Sequence, residues 1–518
     1  MVGYNKRFNV IVAGVGGMGS ATCYHLAKRG LRVLGLEKND IPNEAGSSHG
    51  YSRIIRLAYY EHPSYVMLLK RAYELWDEIE QLTGEKIFHR TGSIDAGPAD
   101  SWVFKGSHQS VVEHGISHEV LSGIDLAKKF PGYQLPQDHM ALYQEDGGFI
   151  IPERATVNFV EAAHHYGAEI HGREEVLEYH PTPEGGVKVI TNRGEYEADR
   201  LVITAGAWNG GLVPMLQGLA VPERQALAWF QPERPELFQT HNFPVFNLLV
   251  EEGRYYGFPM HGIPGFKIGL YHHFKEHGVP ESFNWEADLV DEDALREAVD
   301  RYFPMASGPT MSLKVCMFTN SPDGHFIIGH VPGMEQVYFA AGFTGHGYKF
   351  ASVMGEIMAD LSDRGYTRHD ISLFDPERFS AGGSIQTMAE KEPFRRHKYD
   401  AQDRIIMRRD RLMQEYGYGR GSHGGRSAHG RAIHPNRGSL NNRHRRGHTG
   451  RGMIGGGRRG GFGAGRYGGQ HRGRYGMNGR GGQQGGFRGG SGSRYGRGGY
   501  GDTTDPWYWK SKDIDPNW

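Results

Sequence analysis

The chain has 518 residues, and its 59 lysines and arginines balance 59 aspartates and glutamates, so its formal net charge is zero. This length can bury the cores of two or three domains. The two cysteines exclude a disulfide framework and a cysteine-based zinc site. No apolar run reaches the roughly 20 residues of a membrane helix. The N-terminus lacks an apolar signal segment, so we expect a cytoplasmic protein with no membrane anchor.

The zero net charge conceals an uneven distribution. Residues 411–501 contain 18 arginines, no lysine and one acid, Glu415, together with 33 of the 77 glycines. Residues 1–410 therefore carry the compensating excess of acidic side chains. This composition predicts an acidic globular part followed by a basic, glycine-rich tail.

The first predicted elements are a strand, a helix and a second strand. Residues 8–13 are mostly apolar and rich in β-branched side chains, as in a buried parallel strand. Residues 20–29 are helix formers, and residues 31–36 form the second strand. A strand–turn–helix–strand unit of about 30 residues that ends near an acid is the setting that a dinucleotide-binding turn requires.

The turn of this unit has the glycine spacing that suits a pyrophosphate. Gly14 permits a tight turn, Gly16 lets the backbone approach the ligand, and Gly19 lets the helix pack closely on the strand. The helix N-terminus adds free N–H groups and partial positive charge. Glu37 is predicted to accept hydrogen bonds from the adenosine ribose, which disfavours a 2′-phosphorylated cofactor. The alternative is a glycine-rich turn that binds nothing.

The next elements do not continue a simple nucleotide-binding repeat. Helical periodicity marks residues 63–83 and 155–166, and strands are predicted at 186–191 and 200–204. Alternating apolar and polar residues over 226–270 predict an antiparallel sheet.

A second strand–turn–helix unit, near residue 340, also has the pattern of a nucleotide-binding site. A strand at 336–341 leads into a glycine turn that starts at Gly342, and a helical pattern covers 348–361. This unit lies about 300 residues after the first one, so the nucleotide-binding and substrate-binding parts are interleaved. Such interleaving is typical of flavoproteins.

Several motifs occur in the order seen in one enzyme family. They are, besides the first glycine turn, Gly46-Ser-Ser-His-Gly-Tyr-Ser-Arg53-Ile-Ile-Arg56, Tyr255-Tyr-Gly-Phe-Pro259, Lys267-Ile-Gly-Leu-Tyr-His272, Val315-Cys316-Met317 and Gly342-Phe-Thr-Gly-His346-Gly-Tyr-Lys349. Over about residues 8–380 the chain resembles the monomeric sarcosine oxidase and N-methyltryptophan oxidase family, which are FAD-dependent amine oxidases. Residues 228–231 look more like the N-methyltryptophan branch.

The resemblance implies an α/β fold. An FAD-binding Rossmann-type domain, similar to those of glutathione reductase and D-amino-acid oxidase, is expected to interleave with an antiparallel-sheet substrate domain. The expected boundaries are 1–385 for the oxidase, with FAD-binding parts at about 1–90, 150–215 and 310–380 and substrate-domain parts at about 91–149 and 216–309, then 386–415 for a charged helix or linker and 416–518 for the tail.

The resemblance also assigns roles around the substrate. Arg56 and Lys349 match the pair that holds the substrate carboxylate, and a guanidinium with an ammonium suits a planar anion. Lys267 matches the lysine near the reactive edge of the flavin, where a cation lowers the barrier to reaction with O2. The alternative to a functional role for each of these cations is a charge that is exposed at the surface or held in an ordinary ion pair.

Three residues match the walls of the substrate cavity. They are Tyr256, His272 and His346. One extra residue precedes His272, so the pocket histidine is either His272 or His273.

Cys316 occupies the position at which the family attaches its flavin covalently, through a thiolate and the 8α carbon of the ring. The alternative is a buried cysteine that acts as a small hydrophobic side chain. Arg53 and His49 match residues beside the flavin, where positive charge stabilises the reduced anion and helps the attachment. The predicted cofactor-binding set is Gly14, Gly16, Gly17, Met18, Gly19, Glu37, Ser47, His49, Arg53, Ala205, Gly206, Trp208, Cys316, Gly342, Gly345, His346, Gly347 and Lys349.

The implied reaction is the oxidation of a secondary N-methyl amino acid by O2 and water. Its products are the primary amino acid, formaldehyde and hydrogen peroxide. A cyclic imino acid such as pipecolate and a fructosyl amino acid are alternative substrates. Relatives are commonly monomeric, so we expect a monomer whose partners are a small amino-acid amine and O2.

The tail suggests a different partner. Residues 416–501 interleave arginine with tyrosine and phenylalanine and repeat Arg-Gly-Gly four times. Such a segment cannot bury enough apolar area to fold, so disorder is predicted. Charge and stacking suit weak, salt-sensitive binding of RNA. The alternatives are a solubilising appendage, a tail that docks on the acidic part, and an RNA-associated protein whose oxidase domain is vestigial.

Overall fold

The computed structural model describes residues 7–380. The predicted linker at 386–415 and the predicted tail at 416–518 lie outside the described residues. Eight α-helices lie within 7–380, and none of them is both long and apolar enough to cross a bilayer. They are α1 Gly17–Lys28, α2 Tyr65–Thr83, α3 Trp102–Glu113, α4 Gly123–Lys129, α5 Pro152–His165, α6 Asn209–Leu212, α7 Leu289–Tyr302 and α8 Ala351–Arg364.

Nineteen strands in the described part form three sheets. In chain order they are β1 Arg7–Ala13, β2 Val33–Leu36, β3 Arg53–Ile55, β4 Phe88–Arg90, β5 Ser93–Pro98, β6 Glu119–Ser122, β7 His139–Gln144, β8 Gly148–Ile150, β9 Glu169–His171, β10 Val176–Pro181, β11 Val187–Thr191, β12 Glu195–Ile203, β13 Val221–Phe230, β14 Val245–Val250, β15 Gly253–Phe258, β16 Phe266–Leu270, β17 Thr310–Asn320, β18 Ile327–Val331 and β19 Met334–Ala341.

The first sheet has a parallel centre. Its order is β10-β11-β12-β1-β2-β9, and β19 runs parallel to the second half of β12 with β18 on its far side. The central strand β1 pairs in parallel with both β12 and β2. Its residues from Val10 to Ala13 are buried, which explains the nearly continuous apolar run in the sequence.

Helices cover one face of this sheet. α1 packs against α5 and α8, and α2 packs against α5 and α8 as well. The buried side of α2 has the predicted helical spacing and includes Leu68, Leu69, Ala72, Leu75 and Trp76. α1 begins at Gly17 rather than at residue 20, because the glycines of the turn already belong to its first turn.

The second sheet is antiparallel apart from one strand pair. Its order is β17-β13-β16-β15-β14-β5-β7-β6, and only β14 and β5 run parallel. The region 226–270 lies in this sheet, as the alternation of its residues predicts. A third sheet, β3-β8-β4, is small. The predicted α/β fold with mixed sheets is therefore confirmed.

Candidate active site

A cavity of about 360 Å³ opens at the carboxyl ends of β1, β2, β12 and β19. This edge is where open α/β sheets bind their ligands. Its lining includes Glu37 and Lys38 after β2, Glu175 before β10, and Cys316 and Phe318 on β17. Residues of the first glycine turn and of the second sheet therefore line the same cavity.

The first glycine turn leaves no room for side chains. Gly14 has φ of +92°, and a β-carbon there would lie 2.6 Å from the carbonyl oxygen of Thr204. A β-carbon at Gly19 would lie 1.8 Å from the carbonyl oxygen of Gly14. β1, α1 and β12 therefore meet at glycine-only positions beside the cavity.

The acid after β2 is held by the backbone. The two carboxylate oxygens of Glu37 accept hydrogen bonds from the amides of Val15 at 2.9 Å and Asn39 at 3.0 Å. Burial raises the pKa of Glu37. Its carboxylate thus sits next to the glycine turn in a fixed orientation, as a ribose-binding acid requires.

Cys316 lies on β17 and lines the cavity with an exposure of only 3%. Nη2 of Arg53 donates to its Sγ at 3.4 Å. Burial raises the pKa of the thiol, but His49 and Arg53 outweigh burial and bring the pKa to about 6. The imidazole of His49 is buried beside this thiol. The positive surroundings therefore favour the thiolate form of Cys316.

Lys267 is a buried cation on β16. Its Nζ donates to the carbonyl oxygens of Gly50 at 2.6 Å and Ser52 at 3.0 Å, and to Oγ of Ser52 at 3.0 Å. Nζ also lies 4.3 Å from the centre of the Phe258 ring. Burial lowers the pKa of Lys267 well below its usual value. These hydrogen bonds fix the lysine against the loop between His49 and Arg53.

Arg56 and Lys349 lie against the same aromatic ring. The Arg56 guanidinium carbon is 4.5 Å, and the Lys349 Nζ 5.5 Å, from the centre of the Tyr59 ring. Nη2 of Arg56 donates to Glu61 at 2.9 Å, and Nε lies 3.5 Å from Oδ1 of Asp95. Burial and the charge of Arg56 lower the pKa of Lys349 to about 7.

The two adjacent histidines after β16 have different surroundings. His273 is fully buried, and its Nε2 lies 2.8 Å from Oδ1 of Asp291 on α7. His272 contacts Glu223 through Nδ1 at 2.9 Å. Its Nε2 is buried without a hydrogen-bond partner in residues 7–380. The ring of His273 is therefore turned to α7, and the ring of His272 is turned to Glu223 on β13.

His346 and Tyr256 occupy apolar surroundings. The Nδ1 of His346 lies 2.6 Å from the Tyr59 hydroxyl and its Nε2 lies 2.9 Å from the carbonyl oxygen of Gly324. Burial lowers the pKa of His346 to about 3, so the ring is neutral. Tyr256 packs in a cluster with Leu227 and Cys316.

The structure brings most of the predicted cofactor-binding residues to one cavity. The predicted residues absent from its lining are Gly19, His49, His346 and Lys349. The predicted residues that line it are Gly14, Gly16, Gly17, Met18, Glu37, Ser47, Arg53, Ala205, Gly206, Trp208, Cys316, Gly342, Gly345 and Gly347.

Some lining and charged residues were not predicted. Glu175 and Leu177 line the cavity from the start of β10, and Thr156 lines it from α5. Glu61 and Asp95, which pair with Arg56, were also missed. No motif marks these positions: Glu61 is only five residues from Arg56, and Asp95 reaches it through tertiary contacts.

The residues present fit FAD rather than a metal ion. The glycine turn is a cradle that a β-carbon would fill, Glu37 is a fixed acceptor, and Cys316 is an activated thiol beside Arg53. Within the described range, no three histidine, cysteine or carboxylate side chains are grouped so that they could hold a metal ion.

Comparison with known proteins identifies the family. A model of the FAD dependent oxidoreductase family, DAO, matches residues 9–361. The monomeric sarcosine oxidase of Streptomyces avermitilis is 39% identical over 386 residues, which are 73% of this chain and 99% of that protein. The N-methyl-L-tryptophan oxidase of Salmonella dublin is 33% identical over 376 residues, 72% of this chain and 100% of that protein.

Solved structures show the same fold. The open form of NikD, an amino acid oxidase essential for nikkomycin biosynthesis, has a TM-score of 0.62 and 25% identity, and the match covers 72% of this chain and 98% of NikD. The L-proline dehydrogenase of P. horikoshii has a TM-score of 0.63 at 22% identity over 73% of this chain and 99% of the dehydrogenase. The chain therefore belongs to the monomeric sarcosine oxidase and N-methyltryptophan oxidase family of FAD-dependent oxidoreductases, and it is a flavin-dependent amine oxidase.

Proposed function

We propose that the protein oxidises a secondary N-methyl amino acid, of the sarcosine or N-methyltryptophan type, with O2 and water. The products are the primary amino acid, formaldehyde and hydrogen peroxide. FAD, when bound, supplies the two-electron oxidation of the carbon–nitrogen bond and passes the electrons to O2. The names of the relatives at 33% and 39% identity support this class of substrate.

The observation that carries the proposal is the pair of buried cations against Tyr59. Arg56 and Lys349 are both nearly inaccessible to water. Glu61 and Asp95 are the carboxylates that lie against Arg56. A guanidinium and an ammonium beside one buried ring can hold a planar anion through charge-assisted hydrogen bonds. A substrate carboxylate is the anion of the right size and charge, and it would leave the amine free to face the flavin.

We further propose that the first sheet holds FAD and the second sheet holds the substrate. The first glycine turn and Glu37 would bind the pyrophosphate and the adenosine ribose. Lys267 would place a cation where electrons pass to O2. We also propose that the protein is a monomer and that it is located in the cytoplasm.

Product analysis tests the reaction. The purified protein should release formaldehyde and hydrogen peroxide in a one-to-one ratio from sarcosine or N-methyltryptophan. Pipecolate would give peroxide without formaldehyde, and a fructosyl amino acid would give a sugar product instead. Peroxide without formaldehyde from every N-methyl amino acid would overturn the proposal.

We propose that Cys316 attaches the flavin covalently. Its thiolate lies in the cavity beside Arg53, whereas Cys23 is buried in α1 and burial raises its pKa to about 12. Protein precipitated with acid should keep its yellow colour in the pellet. Cys316→Ala should release all flavin to the supernatant, and the matched Cys23→Ala variant should keep it. Acid-stable flavin in Cys316→Ala would show that attachment occurs elsewhere.

A further inference from the structure

A carboxylate on α5 contacts the backbone of residues 49–53, which we call the held segment. Glu153 lies in the first turn of α5, and its Oε1 accepts hydrogen bonds from two consecutive amides, those of Gly50 at 2.6 Å and Tyr51 at 3.0 Å. Its Oε2 is buried and makes no hydrogen bond within the described residues. One carboxylate oxygen therefore forms both hydrogen bonds, and no role assigned above explains them.

The backbone of the held segment needs such support. Gly50 and Tyr51 have φ of 99° and 67°, so both lie in the left-handed region. Glycine adopts this region readily, but the β-carbon of a residue such as Tyr51 makes it unfavourable. Strained backbone persists only where its surroundings over-determine it. The hydrogen bonds to Glu153 act in this way, because they require two neighbouring N–H groups to converge on one oxygen.

Lys267 holds the carbonyl groups of the same segment. Its Nζ donates to the carbonyl oxygens of Gly50 and Ser52, whereas Glu153 accepts from the amides of Gly50 and Tyr51. Burial lowers the pKa of Lys267, and the charge of Glu153 opposes that effect. The held segment is therefore fixed through both its donors and its acceptors, by side chains from α5 and β16.

The conformation of the held segment determines where Arg53 lies. The guanidinium of Arg53 donates to the carbonyl oxygens of Ser52 and Ser47, each at 2.9 Å, and its Nη2 reaches Sγ of Cys316 at 3.4 Å. The ring of Tyr51 packs on the apolar cluster that contains Cys316. A change in the backbone of this segment would therefore move Arg53 relative to the thiol.

Ionisable side chains from three elements act on this thiol. Burial raises the pKa of Cys316, but His49 and Arg53 outweigh burial and bring the pKa to about 6. Lys267 on β16 and Tyr256 on β15 also interact with the thiol. Burial raises the pKa of Tyr256, so its hydroxyl stays neutral. Only His49 and Arg53 belong to the held segment, so the thiol pKa reports whether that segment is in place.

We propose that Glu153 is a positioning residue for the covalent attachment of the flavin. Its hydrogen bonds to the held segment keep His49 and Arg53 against the Cys316 thiol. This inference rests on the attachment proposed above. In the net reaction the S–H bond of the cysteine and one C–H bond at the flavin 8α carbon break, and an S–C bond forms. The two electrons and two protons that are released pass to O2, which the oxidase already uses, and give hydrogen peroxide.

Two variants of Glu153 separate its position from its charge. Glu153→Gln keeps an oxygen that can accept from both amides, so the thiol pKa should stay near the wild-type value. Glu153→Asp keeps the charge but is one carbon shorter, so its oxygen should no longer reach the amides. The thiol pKa should then rise by about two units, towards the ordinary value of a cysteine. A purely electrostatic role predicts no rise in Glu153→Asp and a lower pKa in Glu153→Gln, because a lost negative charge favours the thiolate.

The measurement is the pH dependence of alkylation of Cys316 in the full chain, purified without flavin from riboflavin-starved cells. Alkylation by iodoacetamide follows the thiolate fraction, and peptide mass spectrometry separates Cys316 from Cys23. FAD added to the same protein then gives the rate at which acid-stable flavin forms. At pH 7 this rate should fall about tenfold in Glu153→Asp, as the thiolate fraction does. An aspartate still suits the first turn of α5, so the variant should fold.

Glu80 provides a matched control. Its Oε1 also accepts from two consecutive amides, those of Ile87 at 2.7 Å and Phe88 at 2.6 Å, but in the segment that enters β4. Glu80→Asp should weaken that contact without moving the thiol pKa of Cys316. An equal rise of this pKa in Glu80→Asp and Glu153→Asp would indicate a general loss of stability and overturn the proposal.

Failure of this inference can be distinguished from failure of the proposals on which it rests. Neither readout depends on which amine is oxidised. Wild-type protein that forms no acid-stable flavin, although Glu153→Asp raises the thiol pKa, would contradict attachment through Cys316 and with it the role of Glu153 in attachment. Acid-stable flavin that forms in Glu153→Asp at the wild-type rate, with an unmoved thiol pKa, would overturn the role of Glu153 alone.

Discussion

The two cysteines of the chain are both buried, yet their thiols have opposite acidities. Burial alone raises the pKa of Cys23 to about 12, whereas His49 and Arg53 bring the pKa of Cys316 to about 6 in spite of burial. A reactive thiol needs a positive environment, and only Cys316 has one. His49 lies in the loop before β3 and Arg53 is the first residue of β3, so the acidity of Cys316 on β17 depends on a segment distant in the sequence.

If Lys349 holds the substrate carboxylate as we propose, carboxylate binding should be sensitive to pH. Burial and Arg56 lower its pKa to about 7, so the ammonium loses its proton as the pH rises through 7. Glu61 stays charged, because the cations around it overcome burial and bring its pKa to about 2. The Kd of a simple carboxylate without an amine, such as propionate, should therefore rise about tenfold for each pH unit above 7. A titration followed by the visible spectrum measures this Kd.

Lys349→Met is the control for this pH dependence. Its Kd should be high and independent of pH between 6 and 9, because no titrating ammonium remains at the position. A wild-type Kd that does not change across pH 7, or a Lys349→Met profile equal to that of the wild type, would remove Lys349 from the carboxylate site.

The glycine turn shows how a single element positions the site. α1 approaches β1 and β12 so closely that a β-carbon at Gly19 would lie 1.8 Å from the Gly14 carbonyl oxygen and 2.7 Å from Oγ1 of Thr204. Gly17 and Met18 in the first turn of this helix line the cavity, so the helix N-terminus faces the place where an anion would bind. The close packing of α1 on β1 and β12 therefore also forms the binding surface at the N-terminus of α1.

Gly19→Ala should therefore lose both stability and flavin. Overpacking at this point should lower the free energy of unfolding by about 1–3 kcal/mol, and the purified variant should be colourless. Gly194→Ala is the matched control, because a β-carbon there meets no atom within 4 Å. Denaturant unfolding and the visible spectrum test both effects. A yellow, fully stable Gly19→Ala variant would contradict the packing argument.

Elements with local signals could be predicted from the sequence. β1, α1 and β2 are marked by an apolar run, glycines and an acid that lie within about 30 residues, and α2 by its periodicity. Partners brought together by tertiary structure have no such signal. Asp95 meets Asn247 across 152 positions, and Glu223 meets His272 across 49. His273 likewise meets Asp291, which lies on a separate helix.

At the scale of the whole molecule, the oxidase and the tail are expected to act independently. A chain that ends at Glu415 should keep its flavin content and its oxidase activity, because every site residue lies before that point. The full chain should bind single-stranded RNA with an affinity that falls as salt rises, since arginines contact phosphates. Filter binding at two salt concentrations compares the two chains. RNA binding that survives the truncation would contradict the assignment to the tail.

The most direct test of the whole account is the visible spectrum of the purified full chain, recorded without oxygen before and after N-methyltryptophan or sarcosine is added. The account predicts the bands of oxidised flavin, their loss when the amino acid is added, and their return when air is admitted. A protein that stays colourless after incubation with FAD, or a flavin that no N-methyl amino acid bleaches, would contradict it.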